Sequence, residues 1–191
     1  MSMADTSDFR NGMVIKYKDD LYKIVDFLHV KPGKGGAFVR TTLKNIFTGQ
    51  QLEDTFRAGA KVEEVRVIGK MMQFLYNDEN IYYFMDNNTY EQIPVPEEIL
   101  DDNLRFLKEN QQVKILFNEE TDKPIDSEMP PHVELEVTDT RPGIRGDTAT
   151  GGTKPATVET GYTLQVPLFI NEGDILKIDT RSGEYVERVN T

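Results

Sequence analysis

A lysine can hold phosphate, form a Schiff base or accept a covalent modification, and its surroundings decide which. In Lys31-Pro32-Gly33-Lys34-Gly35-Gly36 those surroundings are a proline and three glycines. Set between two apolar runs, this composition predicts a hairpin loop that carries Lys34 outward. A Schiff-base lysine needs an apolar pocket to lower its pKa, and glycines supply none. The phosphate-cradling spacing GxxxxGK[ST] is absent, and no helix is predicted to follow. The segment therefore suits a solvated ammonium offered to phosphate or to a modifying enzyme. Taken alone, it also describes an ordinary surface lysine at a turn.

A second candidate is Gly143-Ile144-Arg145-Gly146-Asp147-Thr148. Glycine permits close backbone approach, while Arg, Asp and Thr offer donors and acceptors to base edges or sugar hydroxyls. The same residues also make a plain polar loop. A third is the C-terminal run Gly183–Arg188, where a strand displays Tyr185 and Arg188. The carboxylates of Glu97, Glu98, Asp101 and Asp102 share one face of a predicted helix and have the oxygen chemistry of a Mg²⁺ site. Pairing with the positive end of that helix explains them more simply, so no metal is assigned. The chain has no Cys, which removes disulfides, thiolate zinc sites and cysteine nucleophiles. Its two histidines, His29 and His132, sit in strand-like contexts that suggest packing or hydrogen bonding. No Ser/His/Asp arrangement is visible, so neither catalysis nor a cofactor is expected.

Short β-branched and aromatic runs, broken by turn residues every eight to twelve positions, position these candidates and predict an all-β protein of barrels or sandwiches. Strands are expected at Met13–Tyr17, Leu21–Phe27, Ala37–Leu43, Gln51–Phe56 and Val62–Ile68. The middle of the chain predicts a Met71–Tyr76/Ile81–Met85 hairpin, then Tyr90–Val95 and Val113–Phe117. Pro96–Asn110 is the one helical stretch, with an apolar stripe of Ile99, Leu100, Leu104 and Leu107. Pro130-Pro131 marks a boundary. Beyond it, Val133–Val137 is a strand and Thr138–Thr160 a long polar loop. Tyr162–Phe169, Ile175–Asp179 and Tyr185–Val189 complete the count. Met1-Ser2-Met3, which has the form of an expression remnant ahead of a start at Met3, is set aside from the fold reading.

Charge is divided unevenly among three modules of similar size. Residues 1–66 carry +2, residues 67–129 carry -9 and residues 130–191 carry -4, within a total of -11. The total opposes a simple nucleic-acid binder, but an RNA partner would approach the N-terminal module first. The first twenty residues lack an apolar export signal, and no run approaches the roughly 20 apolar residues of a membrane span. A cytoplasmic location is expected, with no membrane partner.

Read together, these segments resemble the bacterial elongation factor P family along the whole chain. The resemblance is carried by Ser7–Gly12, by Val30–Arg40 around Lys34, and by the long signature Lys154–Gly173. It implies an SH3-like KOW-type domain at residues 1–66 and OB folds at 67–129 and 130–191, in an L-shaped, tRNA-like outline. It implies a monomeric factor, not an enzyme, bound to the 70S ribosome between the P and E sites and relieving stalls at consecutive prolines. Lys34 would reach the CCA end of P-site peptidyl-tRNA and would be the residue lengthened by a lysyl-tRNA-synthetase-like enzyme. Gly146, Asp147 and Thr148 would face the E-site codon of mRNA, and Tyr185 and Arg188 the small subunit and tRNA. An OB-fold single-stranded RNA binder is the alternative. It needs exposed stacking aromatics, whereas Tyr76, Tyr82, Tyr83, Phe84 and Tyr90 fall in the most acidic module, where core packing is expected. An enzyme acting through Lys34 is opposed by its glycine setting.

Overall fold

Period-2 alternation dominates the chain, and in a computed structural model describing residues 2–142 and 152–189 it resolves into sixteen strands in three antiparallel-rich sheets. The first sheet has the order β1-β6-β2-β3-β4-β5. Its strands are β1 (Ser2–Asp5), β2 (Val14–Tyr17), β3 (Asp20–Val30), β4 (Phe38–Asn45), β5 (Gln51–Arg57) and β6 (Lys61–Glu64). The second, β11-β10-β7-β8-β9, uses β7 (Val67–Asp78), β8 (Ile81–Asp86), β9 (Gln92–Pro96), β10 (Gln112–Asn118) and β11 (Pro124–Glu128). The third, β14-β13-β12-β15-β16, uses β12 (His132–Thr140), β13 (Thr153–Val158), β14 (Thr163–Pro167), β15 (Ile175–Asp179) and β16 (Tyr185–Val189).

Contacts divide the chain into two compact units. The first comprises Met1–Lys70, Val95–Asp101 and Ile115–Ser127. Its N-terminal core gathers Phe9, Met13, Ile15, Ile24, Val39, Leu43 and Val62. Phe9 and Tyr17 each meet Phe56 edge-on at 5.4 Å, a preferred aromatic geometry. Lys23 binds Asp126 at 2.7 Å and Lys44 binds Asp101, both within this unit. The second unit comprises Met71–Pro94, Asp102–Lys114 and Glu128–Thr191. Val133, Leu135 and Val137 alternate inward from β12 and meet Val158, Val166, Leu176, Ile178 and Phe106. Arg105 lies over the rings of Phe106 and Tyr162, at 4.7 and 5.3 Å.

Several expectations need correction. Pro96–Asn110 is not one helix: α1 spans Glu97–Leu100, and a 3₁₀ segment follows over Asp101–Phe106. Asp101 takes φ +48°, which ends the α-helix, and its carboxylate is bound by Lys44. Asp101-Asp102-Asn103 is a run of weak helix formers, so propensity does not resist the break. Val62–Ile68 splits into β6 and the start of β7. The polar stretch 138–160 contains β13, whose Lys154, Ala156 and Val158 are buried in alternation. Ser2, set aside above, pairs with Glu64 in β1. Tyr76 and Tyr90 are not core; they are 48% and 72% exposed.

Candidate functional site

The Lys34 loop grows from the longest pairing in the first sheet. β3 and β4 run in register from Tyr22↔Asn45 to Val30↔Phe38, so residues 31–37 are held at both ends by paired strands. The Ala58 amide donates to the Ala37 carbonyl at 3.0 Å, fixing the exit of the loop beside the end of β5. Gly35 has φ +105°, a conformation that side chains rarely adopt, and its missing Cβ would sit 4.0 Å from Pro32 Cγ. The hairpin reading thus holds for placement: Lys31, Gly33, Lys34, Gly35 and Gly36 are exposed and Pro32 is half-buried. Among the described residues, neither Lys31 nor Lys34 makes a side-chain hydrogen bond or ion pair. A cleft of about 280 Å³, lined in part by Lys16, Leu21, Phe47 and Arg66, shares no residue with this loop.

Below the loop, strand faces are set by a bulge. Val25 is the extra residue of β3 between Ile24↔Leu43 and Asp26↔Thr42. Ile24 points into the core, and without the bulge Leu28 would share that side. The shift sends Leu28 outward, where it is 58% exposed beside Arg40. Two arginines that sequence inspection passed over, Arg40 and Arg57, are exposed at the root of the loop. Alternation in β4 was the available signal for Arg40, but the register was needed to bring Arg57 beside it.

The buried side of this sheet carries a polar lock. Tyr17 Oη donates to Asp54, and Lys18 Nζ lies 3.3 Å from the same carboxylate. The Tyr17 hydroxyl, helped by the Thr55 amide, holds the Asp54 carboxyl below its ordinary range. Donation to Asp54 in turn raises the Tyr17 phenol, and contact with Tyr17 and then Asp54 raises the Lys18 ammonium.

The other sequence candidates fare differently. Gly146, Asp147 and Thr148, with Gly143, Ile144 and Arg145, lie outside the described residues. The strands flanking them, β12 and β13, pair through Thr140↔Ala156, and Lys154 Nζ donates to the Arg141 carbonyl at 2.6 Å. Tyr185 and Arg188 are three positions apart, which in a regular strand means opposite faces. Here the pairs Ile178↔Tyr185 and Lys177↔Glu187 leave Val186 as an extra residue, and the two side chains share a face. Tyr185 is half-buried against the core, whereas Arg188 is exposed, 3.5 Å from Asp174 and 5.5 Å from the Phe169 ring. His29 stands edge-on to Phe27 at 5.7 Å, and His132 lies 4.0 Å from Asp179. Among the described residues no group of His, Asp or Glu is arranged to hold a metal ion, and no helix is long and apolar enough to cross a membrane.

This arrangement belongs to a recognisable class. Residues 5–62 match the KOW-like domain of elongation factor P, residues 67–126 its OB domain and residues 133–188 its C-terminal domain. A KOW-like domain followed by two OB folds, in one all-β chain, is the architecture of a translation elongation factor. A solved structure of eukaryotic translation initiation factor 5A from Methanococcus jannaschii shares the fold at a TM-score of 0.53 and 21% identity, over 68% of this chain and 92% of that one. Elongation factor P of Salinibacter ruber is 58% identical over 98% of this chain and 97% of its own. That of Amoebophilus asiaticus is 54% identical over 99% of each. The chain belongs to the elongation factor P family.

Proposed function

We propose that this factor binds the ribosome between the P and E sites and presents Lys34 to the CCA end of the peptidyl-tRNA. One observation carries the reading: in a chain of this family, Lys34 stands exposed and, among the described residues, unpaired at the tip of a hairpin anchored by the sheet. Proline is a constrained nucleophile, and a stalled peptidyl-tRNA loses rate through misplacement. A fixed cation that props the CCA end restores proximity and orientation without supplying an acid, base or nucleophile. The protein acts as a monomeric effector in the cytoplasm. Its working modules are residues 1–66, 67–129 and 130–191.

The exposure of Lys34 also suits enzymatic lengthening of its side chain by a lysyl-tRNA-synthetase-like partner. Gly146, Asp147 and Thr148 would face the E-site codon, and Arg188, held by Asp174 and Phe169, would contact RNA of the small subunit or tRNA. Tyr185 would support that contact by packing. A reconstituted translation system reading a polyproline template tests the central claim. Wild-type protein should relieve the stall, and Lys34→Ala should lose most of that stimulation while keeping most of its ribosome affinity. Equal synthesis with and without the wild-type factor, whether modified or unmodified, would refute it. Intact mass of protein from its native host tests the modification; an unshifted Lys34 peptide would exclude it.

A further inference from the structure

The outer face of β3-β4-β5 is ordered in rows by its register. Nearest the loop lie Val30, Phe38 and Arg57; next come Leu28, Arg40 and Thr55; then Asp26, Thr42 and Glu53. Rows on one face are about 6.7 Å apart along the strands, and Arg40 and Arg57 are diagonal neighbours at roughly 7–8 Å. Both arginines are exposed, and neither guanidinium has a hydrogen bond or ion pair among the described residues. This contrasts with Lys23, Lys44, Arg66 and Lys70 of the same unit, each of which is bound to a carboxylate. The carboxylates of Asp26 and Glu53 begin one row behind Arg40, and neither comes within ion-pair distance of it.

An arginine with no acidic partner needs to break no bond to take a phosphate, and its planar fork suits two oxygens at once. We propose that Arg40 and Arg57 form a two-phosphate site at the root of the Lys34 loop, gripping the backbone of the RNA whose end Lys34 approaches. This rests on the reading under Proposed function. The exposed Leu28 flanks Arg40 on β3 and the Thr55 hydroxyl flanks it on β5, giving the strand an apolar and a polar edge. The acidic third row repels phosphate, so the RNA backbone crosses the strands beside the loop and does not run down the sheet.

The test is the salt dependence of binding to ribosomes carrying P-site peptidyl-tRNA. Each phosphate contact contributes about 0.7–0.9 to the slope of log affinity against log salt. Arg40→Ala/Arg57→Ala should therefore lower that slope by about 1.4–1.8, with an unchanged melting temperature because both side chains are exposed. Arg40→Lys/Arg57→Lys should keep the slope. Asp26→Asn/Glu53→Gln should raise affinity, an effect that impaired folding would not produce. If wild-type protein binds and stimulates yet the double alanine variant keeps the full slope, this inference fails and the parent reading stands. If wild-type protein does neither, the parent reading fails. A full slope combined with lost Lys34 modification in the native host would assign the arginines to a protein partner and overturn the proposal.

Discussion

At the scale of single residues, two glycines show what a missing side chain does. Gly183 has φ +75°, and a Cβ there would collide with the Tyr162 hydroxyl, which donates to the Gly183 carbonyl at 3.1 Å. Gly183→Ala is expected to destabilise the second unit by about 1–3 kcal/mol through strain and overpacking, read as a lowered midpoint in urea. Gly35 differs, because among the described residues only Pro32 approaches its missing Cβ. Gly35→Ala should cost about 1–2 kcal/mol through φ alone, and its main effect should be on where Lys34 points. Polyproline stimulation should fall while the far-UV spectrum stays unchanged. The Lys34 loop was legible in the sequence because a turn is local chemistry. Arg40 and Arg57 were not, since their proximity depends on which residue of β4 faces which of β5.

At the scale of elements, parity explains most of what sequence reading missed. Tyr76 follows Met72 and Phe74 at even spacing, so simple alternation sends it inward. Leu75 is an extra residue between Phe74↔Phe84 and Tyr76↔Tyr83, and the tyrosines stack outside at 4.8 Å. Bulges leave little trace in composition, so alternation places strands well but faces poorly beyond the first bulge. The lost helix has a different origin: Asp101, which takes a positive φ and is bound by Lys44, ends it after one turn. The polar lock of β2 and β5 makes a pH-dependent prediction. Asp54 has a lowered carboxyl pKa in the folded chain, so its contribution is present above about pH 4 and is lost as acid protonates it. Tyr17 has a raised phenol pKa, so its contribution is present below about pH 10 and is lost as alkali ionises it. Tyr17→Phe should cost about 0.5–1.5 kcal/mol near neutrality and flatten both edges of a stability-against-pH curve.

At the scale of the whole molecule, the net charge of -11 misdescribes the parts. Asp78, Glu79 and Glu91 are exposed in the acidic middle of the chain. Converting the three to amides changes the net charge from -11 to about -8 and should raise affinity for unrelated RNA at low salt, with little change in melting. Gel-shift titration against a heterologous RNA measures it, and an unchanged affinity would show that this acidity serves solubility alone. The second unit also depends on one ring from the 3₁₀ segment. Phe106 is fully buried among residues of the third sheet, so Phe106→Ala should cost about 3–5 kcal/mol, visible in thermal unfolding. That dependence was invisible in the sequence, where Phe106 fell outside the expected helical stripe.

The seven residues from Lys31 to Ala37 hang between two strands whose pairing leaves no slack at either end. In such a hairpin, reach and aim are separate properties. Inserting residues into the loop would gain reach but scatter aim, because each added residue brings its own backbone freedom. Lengthening the lysine covalently extends reach along a line that the sheet has already set. A factor built this way can be tuned to a more distant target by chemistry on one amine, with no change to its fold.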